Sequence, residues 1–368
     1  MDALLFMQRI VSGIDPTQAL NGTENLPPVR GGLKWAVTRG RHDFSLSGVL
    51  GTDEDLNNLL ANWGVFHTDE EMNNFSADFV YSIDARVQAN RCDILSDQCK
   101  IRSSDNSNTI NILDGHLNSG RLTIELEKHC KLKSKKLFEN IFFLDPIPFR
   151  MRSFSTFTDS LRSDASNIAG VMAALNADKK IELEKLFQKY LPNLPEGDIH
   201  RIWAEQVGRL QDDAMLYCEE KWHNGSHESQ IIDARSMSDG TLRLLAILTA
   251  LFTRPPGSLL VIEDVDQGLH PSRAGILVQM LKEEGKNRGV DLLVTTHNPA
   301  LLDAMGPDML PYITVVHRDP DTGESRLTLL EEAPQLAKLL AYGPVGRLAT
   351  SGRIEEALRT RGTKAHGE

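Results

Sequence analysis

Cysteine is scarce: four residues (Cys92, Cys99, Cys130 and Cys218) are scattered through 368. Cys92 and Cys99 lack the close spacing of a zinc knuckle and no second pair follows, so they read as free thiols of a reducing, cytoplasmic compartment. No apolar run is long enough to cross a bilayer, so no membrane association is expected. The apolar start, residues 1–11, carries Asp2 and lacks the basic n-region of a signal peptide. Positive charge is in deficit: 40 Lys and Arg against 51 Asp and Glu leave a net charge of −11. A broad basic surface for nonspecific DNA binding is therefore not expected. One local basic cluster, Lys128, Lys131, Lys133, Lys135 and Lys136, reads as a solvated strand–loop edge. There is no internal repeat. What is present is ordinary for a globular chain with a large core, 40% apolar and 25% charged.

Taken in order, residues 1–12 show a helical face through Leu4, Leu5, Met7, Ile10 and Val11, and the Pro/Gly-rich residues 13–32 read as a loop. Alternation in 34–50 and 74–84, then short runs at 86–101, 109–113 and 121–127, predict an antiparallel meander. Ile141 to Leu144 is a strand ended by prolines. From 159 the pattern turns helical. Residues 163–167 supply cap chemistry ahead of Ile168, and 181–191 form a second helix. Residues 199–210 form a third short element, and 215–222 are ambiguous. Further on come a helix at 237–253, a buried strand at 259–262, a helix at 272–286, a strand at 292–295 and a short helix at 299–305. A hairpin spans 313–317 and 325–330, and the tail is helical with a break at Gly343-Pro344.

The stretch 236–303 concentrates chemistry. An apolar strand ends in Glu263 and Asp264, and a buried strand delivers such acids to the carboxyl edge of a sheet, where α/β proteins bind ligands. Nucleotide hydrolysis needs one carboxylate near Mg²⁺ and another beside the attacking water. The alternative is an acidic turn capping the next helix. Thr295-Thr296-His297 ends a second strand, 33 residues after Asp264, where a histidine reaches a γ-phosphate or serves structure alone. Ser238-Asp239-Gly240 opens a helix and offers either an anion site or simple N-capping.

Together these motifs resemble the second half of an ABC-type ATPase head of the RecF/SMC-like branch. Met237 to Arg243 resembles the signature motif, Leu259 to Asp264 the Walker B strand, Gly268-Leu269-His270-Pro271 the D-loop, and Thr296-His297-Asn298-Pro299 the switch histidine. Residues 164–169 and 346–352 also look like this family. The resemblance implies an α/β fold: a P-loop NTPase head of ABC/RecF-like type with an antiparallel β subdomain and a helical lobe. The implied organisation is the remainder of lobe I at 1–158, a helical lobe at 159–230, an ATPase lobe at 231–330 and a helical tail at 331–368. It implies ATP and Mg²⁺ as cofactors, with Glu263 on the metal side and Asp264 and His297 catalytic. Ser238, Asp239, Gly240 and Arg243 would meet ATP held by the other subunit, and Gly268 and His270 would contact the homodimer partner. An effector protein or DNA is the expected further partner, in DNA maintenance or phage defence.

The sequence departs from the pattern in two places. Asp264 and Val265 stand where the family usually has Glu and often Pro, so water positioning is expected to be looser and hydrolysis slower. No Gly-x-x-x-x-Gly-Lys-Ser/Thr occurs; Gly31-Gly32 and 48–51 lack its lysine and its strand–loop–helix context. By the resemblance, Met1 lies within the helix that follows the phosphate loop. The expectations are a start assigned at an internal Met or a true truncation, an absent first strand, and weak or no ATP binding by residues 1–368 alone. Two other functions stay open: a non-hydrolysing regulatory or partner subunit, and an OLD-type nuclease-associated ATPase suggested by Asp264-x-Asp266. The 71 residues after His297 are too few for a further nuclease domain.

Overall fold

A computed structural model describes residues 2–23, 26–30, 32, 36, 43–50, 77–88, 91–103, 109–110, 128, 132–191, 199–209, 212–221, 229–319, 323 and 325–362. The chain divides into two compact units, Met1–Ile141 and Phe142–Glu368.

In the first unit, α1 (Asp2–Val11) buries Phe6, Met7 and Arg9. Burial of a guanidinium demands acceptors, and Arg9 donates to the carbonyls of Ala19 at 2.5 Å and Pro27 at 2.7 Å. The stretch 13–32, expected as loop, contains α2 (Pro16–Asn21). Asp15 caps it through Thr17 N and Gln18 N, and Pro16 sits at the first helical position, where its missing N–H costs nothing. The meander is present: β1 (Asp43–Leu50), β2 (Ala77–Gln88), β3 (Arg91–Ser103) and β4 (Thr109–Ile110) pair antiparallel in sequence order. Alternate residues of β2, namely Tyr81, Ile83, Ala85 and Val87, are buried with Phe6, Met7 and Leu20. The runs expected at 111–113 and 121–127 lie outside the described residues. The lysine cluster is corrected: residues 132–139 are a helix, α3, not a strand–loop edge. It buries Ser134 and Phe138 four residues apart, and pairs Lys135 with Glu139 at 3.8 Å. Lys131 lies outside the described residues.

The second unit is built around α7 (Asp239–Thr253), in which every residue from Gly240 to Leu251 except Arg243 is buried. Strands β5 (Ile141–Leu144), β10 (Leu259–Ile262) and β11 (Asp291–Val294) form one sheet in the order β11-β10-β5, with β10 and β11 parallel. Helix α8 (Ala274–Arg288) packs its Leu277, Met280 and Leu281 into the same core as α7.

The stretch 159–230, expected as a helical lobe, carries strands as well as helices. It holds α5 (Ile168–Ala174) and α6 (Ala177–Tyr190), but also β7 (Ile199–Val207), β8 (Asp213–Lys221) and the start of β9 (Ser229–Asp233). With β6 (Ser155–Thr156) these strands form an antiparallel sheet carried by β8. The ambiguous residues 215–222 thus belong to a strand through Lys221. Asn167 is the N-cap residue of α5 but makes no side-chain capping bond; its side chain instead accepts from Arg162 N and donates to the Ser160 carbonyl, holding the preceding loop. A preceding short helix, α4 (Pro148–Met151), follows β5.

After β11 come α9 (Pro299–Met305), the hairpin β12 (Thr314–Arg318) and β13 (Ser325–Leu329), and the tail helices α10 (Leu336–Leu340), α11 (Val345–Thr350) and α12 (Arg353–Gly362). Leu330, Val345, Leu348, Ile354 and Leu358 close a small core of their own. Among the described residues no helix is long and apolar enough to cross a membrane.

Candidate functional site

The site grows from the carboxyl end of β10. A strand buried along Leu260, Val261 and Ile262 cannot turn without satisfying its next backbone groups. The neighbouring strand supplies them. Thr295 N donates to the Ile262 carbonyl at 3.0 Å, Val265 N to the Thr295 carbonyl at 3.0 Å, and Asp264 N to Thr295 Oγ1 at 3.0 Å. Glu263 is half-buried and Asp264 exposed at this edge. Asp264 has φ +44°, in the left-handed region that Asp and Asn tolerate better than other side chains.

The next residues are clamped to the same strand end. Asp266 accepts a hydrogen bond from Thr296 Oγ1 at 2.6 Å, and Thr296 Oγ1 also accepts from Asn298 N at 3.0 Å. Asn298 Oδ1 caps α9 at Ala300 N, with Pro299 at the first helical position. His297 sits between these fixed points, exposed, with no hydrogen-bond partner for its ring among the described residues. Asp266 therefore braces the turn, a use unlike that of the second acid of a nuclease pair.

Ser238 is the N-cap of α7, its Oγ accepting from Thr241 N at 3.1 Å and contacting Thr241 Oγ1 at 2.8 Å. Gly240 is buried because the turn after β10 presses on it. A Cβ there would lie 2.9 Å from Arg273 Nη1, 3.0 Å from the Gly268 carbonyl and 3.3 Å from Leu269. Gly268, at φ +73°, lies alongside Arg243, whose Nε would be 3.6 Å from a Cβ on that glycine. His270 is exposed, and its Nδ1 faces Ser272 Oγ at 2.8 Å. The structure thus brings two groups together: Ser238, Gly240 and Arg243 with Gly268, and Glu263 and Asp264 with the strand that ends before His297.

Sequence reasoning named Thr295 and Thr296 only as neighbours of His297, without their bracing roles, and missed Arg273, which lies against Gly240. Arg273 is 4% exposed. A charged residue so buried is uncommon, but nothing in its sequence position signals burial. Also missed is an open cleft of about 740 Å³ lined by Phe149, Arg150, Phe154, Phe157, Arg162 and Asp213. Cys92 and Cys218 are free and buried, which pushes their thiols up to about 11 and about 12 respectively. Neither is a nucleophile at neutral pH. The Cys99 side chain and Cys130 lie outside the described residues.

The parallel strands β10 and β11 end at two acids and a histidine, beside a capped helix with a glycine at its second residue, the arrangement expected from the sequence for an ABC-type ATPase head. The chain belongs to the family described as AAA domain, putative AbiEii toxin, Type IV TA system, whose model matches residues 66–303. No curated protein is matched. Similar solved structures include an SMC head bound to the C-winged helix domain of ScpA, at 13% identity and TM-score 0.43, covering 89% of this chain and 84% of that one. The SMC head domain from Thermotoga maritima aligns at 13% identity and TM-score 0.35, over 89% of this chain and 83% of that one. An SMC head with an extended coiled coil from Pyrococcus furiosus, bound to the C-terminal domain of ScpA, aligns at 12% identity and TM-score 0.37, over 93% and 88%.

Proposed function

We propose that the chain supplies the hydrolytic and trans-acting parts of a head that binds ATP, dimerises around it and hydrolyses it. The observation that carries this reading is the parallel pairing of β10 with β11, locked by Thr295, which keeps Glu263, Asp264 and the His297 segment at one sheet edge. In this reading Asp264 orients the attacking water and accepts its proton. His297 donates a hydrogen bond to the γ-phosphate or to that water. Ser238, Asp239, Gly240 and Arg243 of one copy meet the nucleotide of the other, the α7 N-terminus favouring its negative charge. Gly268 and His270 contact the second copy.

Mg²⁺ takes oxygen donors and is held by one or two carboxylates together with substrate phosphates. Among the described residues no group of three or more His, Cys, Asp or Glu side chains could hold a metal unaided. In this reading the ion arrives with the nucleotide, and Glu263 would be its protein ligand. When bound, such an ion supplies charge neutralisation at the phosphate oxygens. The biological setting we propose is DNA maintenance or phage defence in the cytoplasm, with an effector protein or DNA as the further partner.

The deciding experiment is MgATP turnover by the full-length protein and its Asp264→Asn variant. Asparagine keeps the left-handed backbone but cannot accept the proton, so a loss of about 10²-fold or more is expected. Measurable and equal turnover in the two proteins contradicts the assignment of Asp264. A second reading, a non-hydrolysing subunit, is favoured by the shorter acid at Asp264 and the lack of a lysine-bearing phosphate loop in these 368 residues. It predicts no turnover by either protein.

A further inference from the structure

Arg152 lies far from the motifs in sequence, just after α4. Its Nη2 donates to the Met237 carbonyl at 2.8 Å and to Asp239 Oδ1 at 2.6 Å. Both acceptors flank Ser238, the cap of α7. We infer that Arg152 is a positioning residue that fixes the Ser238 loop and neutralises Asp239, keeping the α7 N-terminus ready for an anion.

Two physical effects converge. The Met237 carbonyl precedes the cap, so it has no place in the α7 ladder and needs another donor. Holding it fixes the Met237–Ser238 peptide plane, and with it the start of the Ser238 side chain. Backbone bonds hold the loop from the other side, Met237 N to the Ala234 carbonyl at 3.3 Å and Ser236 N to the Asp233 carbonyl at 3.0 Å. Asp239 is the second effect. A carboxylate at the first turn favours the helix dipole but repels an incoming phosphate. The Arg152 side chain is only 24% exposed while Asp239 is 63% exposed, so the guanidinium is the anchored partner and the carboxylate the one brought to it. Arg152 serves both acceptors through one nitrogen, Nη2, whose two N–H bonds lie in the rigid guanidinium plane; lysine also offers several donors from one nitrogen, but on a freely rotating ammonium that does not fix their directions.

The inference about the loop stands on these contacts alone; its consequence for ATP rests on the proposed function. The test therefore has two readouts on the full-length protein. Without nucleotide, amide hydrogen exchange is compared in wild type, Arg152→Ala and Arg152→Lys. Arg152→Ala is expected to speed exchange of residues 237–241 about tenfold, corresponding to loss of a charge-assisted hydrogen bond. β10 should be unmoved, and Arg152→Lys should fall between. Unchanged exchange at 237–241 overturns the inference, and so does a uniform rise across the second unit, which would mark Arg152 as general packing. With MgATP, self-association is measured in the same proteins and in Arg152→Ala/Asp239→Asn. The alanine variant should need about tenfold more protein to associate, and the double variant should recover part of that. Faster exchange at 237–241 combined with no MgATP-dependent association in the wild type leaves Arg152 in place and rejects the proposed function. Association in the wild type that Arg152→Ala leaves untouched rejects the role of Arg152 toward nucleotide.

Discussion

Asp264 adopts a backbone conformation that an alanine there resists, because its Cβ crowds the following carbonyl at φ +44°. An alanine variant would mix a folding defect of about 1–2 kcal/mol with any chemical one. Asparagine is the cleaner probe. Asp264→Glu tests the departure from the family pattern: if the shorter acid limits water positioning, the longer one should raise turnover several-fold in a steady-state assay. No increase means the shorter reach is already accommodated. Thr295 gives a third probe. Thr295→Val removes the hydroxyl that accepts from Asp264 N, leaving an N–H at the sheet edge to find water. The expected cost is about 1 kcal/mol in chemical denaturation, with a larger proportional fall in turnover. The acids and the histidine were legible because a buried strand ending in charge is unusual. Thr295, Arg273 and Arg152 were not. Their roles depend on partners 31 to 87 residues away, which no local pattern encodes.

Between elements, α6 and α8 share a polar network. Tyr190 Oη lies 2.8 Å from Glu284 and 3.0 Å from Glu283, and Lys189 Nζ is 3.0 and 2.8 Å from the same acids. Hydrogen bonds from Lys189, Gln279 and Tyr190 hold the Glu283 carboxyl down at about 2, against an ordinary value of 4.5. A folded pKa below the unfolded one means that this contribution is fully present above pH 4.5. It is lost as pH falls toward 2. Urea denaturation at pH 5 and pH 3 should show a drop in stability that is smaller in Glu283→Gln; an equal drop removes Glu283 as its source. Close backbone approach gives another test. A Cβ on Gly346 would lie 2.1 Å from the Pro299 carbonyl and 2.6 Å from Asp303 Oδ1. Gly346→Ala should therefore lower stability by about 1–3 kcal/mol, read as a fall in thermal midpoint. Most elements of 237–305 were legible from apolar runs and caps. β7 was not, because Ile199, Ile202, Trp203 and Val207 recur at helix-like spacing. A register shift between Ile199 and Arg201 breaks the strand alternation that would have revealed it. α2 was too short for periodicity, and only its Asp15-Pro16 start marked it.

At the scale of the whole molecule, the central claim is that one copy is half of a working site. Ser238 and Asp264 belong to the same unit, yet in the proposed function they act on different nucleotides. That division has a consequence that no single-copy mechanism shares. A protein unable to hydrolyse should be trapped in the associated state, because the product-release step that separates the copies is never reached. The most direct measurement is sedimentation of full-length Asp264→Asn with and without MgATP, beside Asp264→Asn/Ser238→Arg. The account predicts that Asp264→Asn shifts to twice its monomer mass only with MgATP, and that adding Ser238→Arg abolishes the shift. A monomer at every MgATP concentration, or a dimer indifferent to Ser238→Arg, would contradict it.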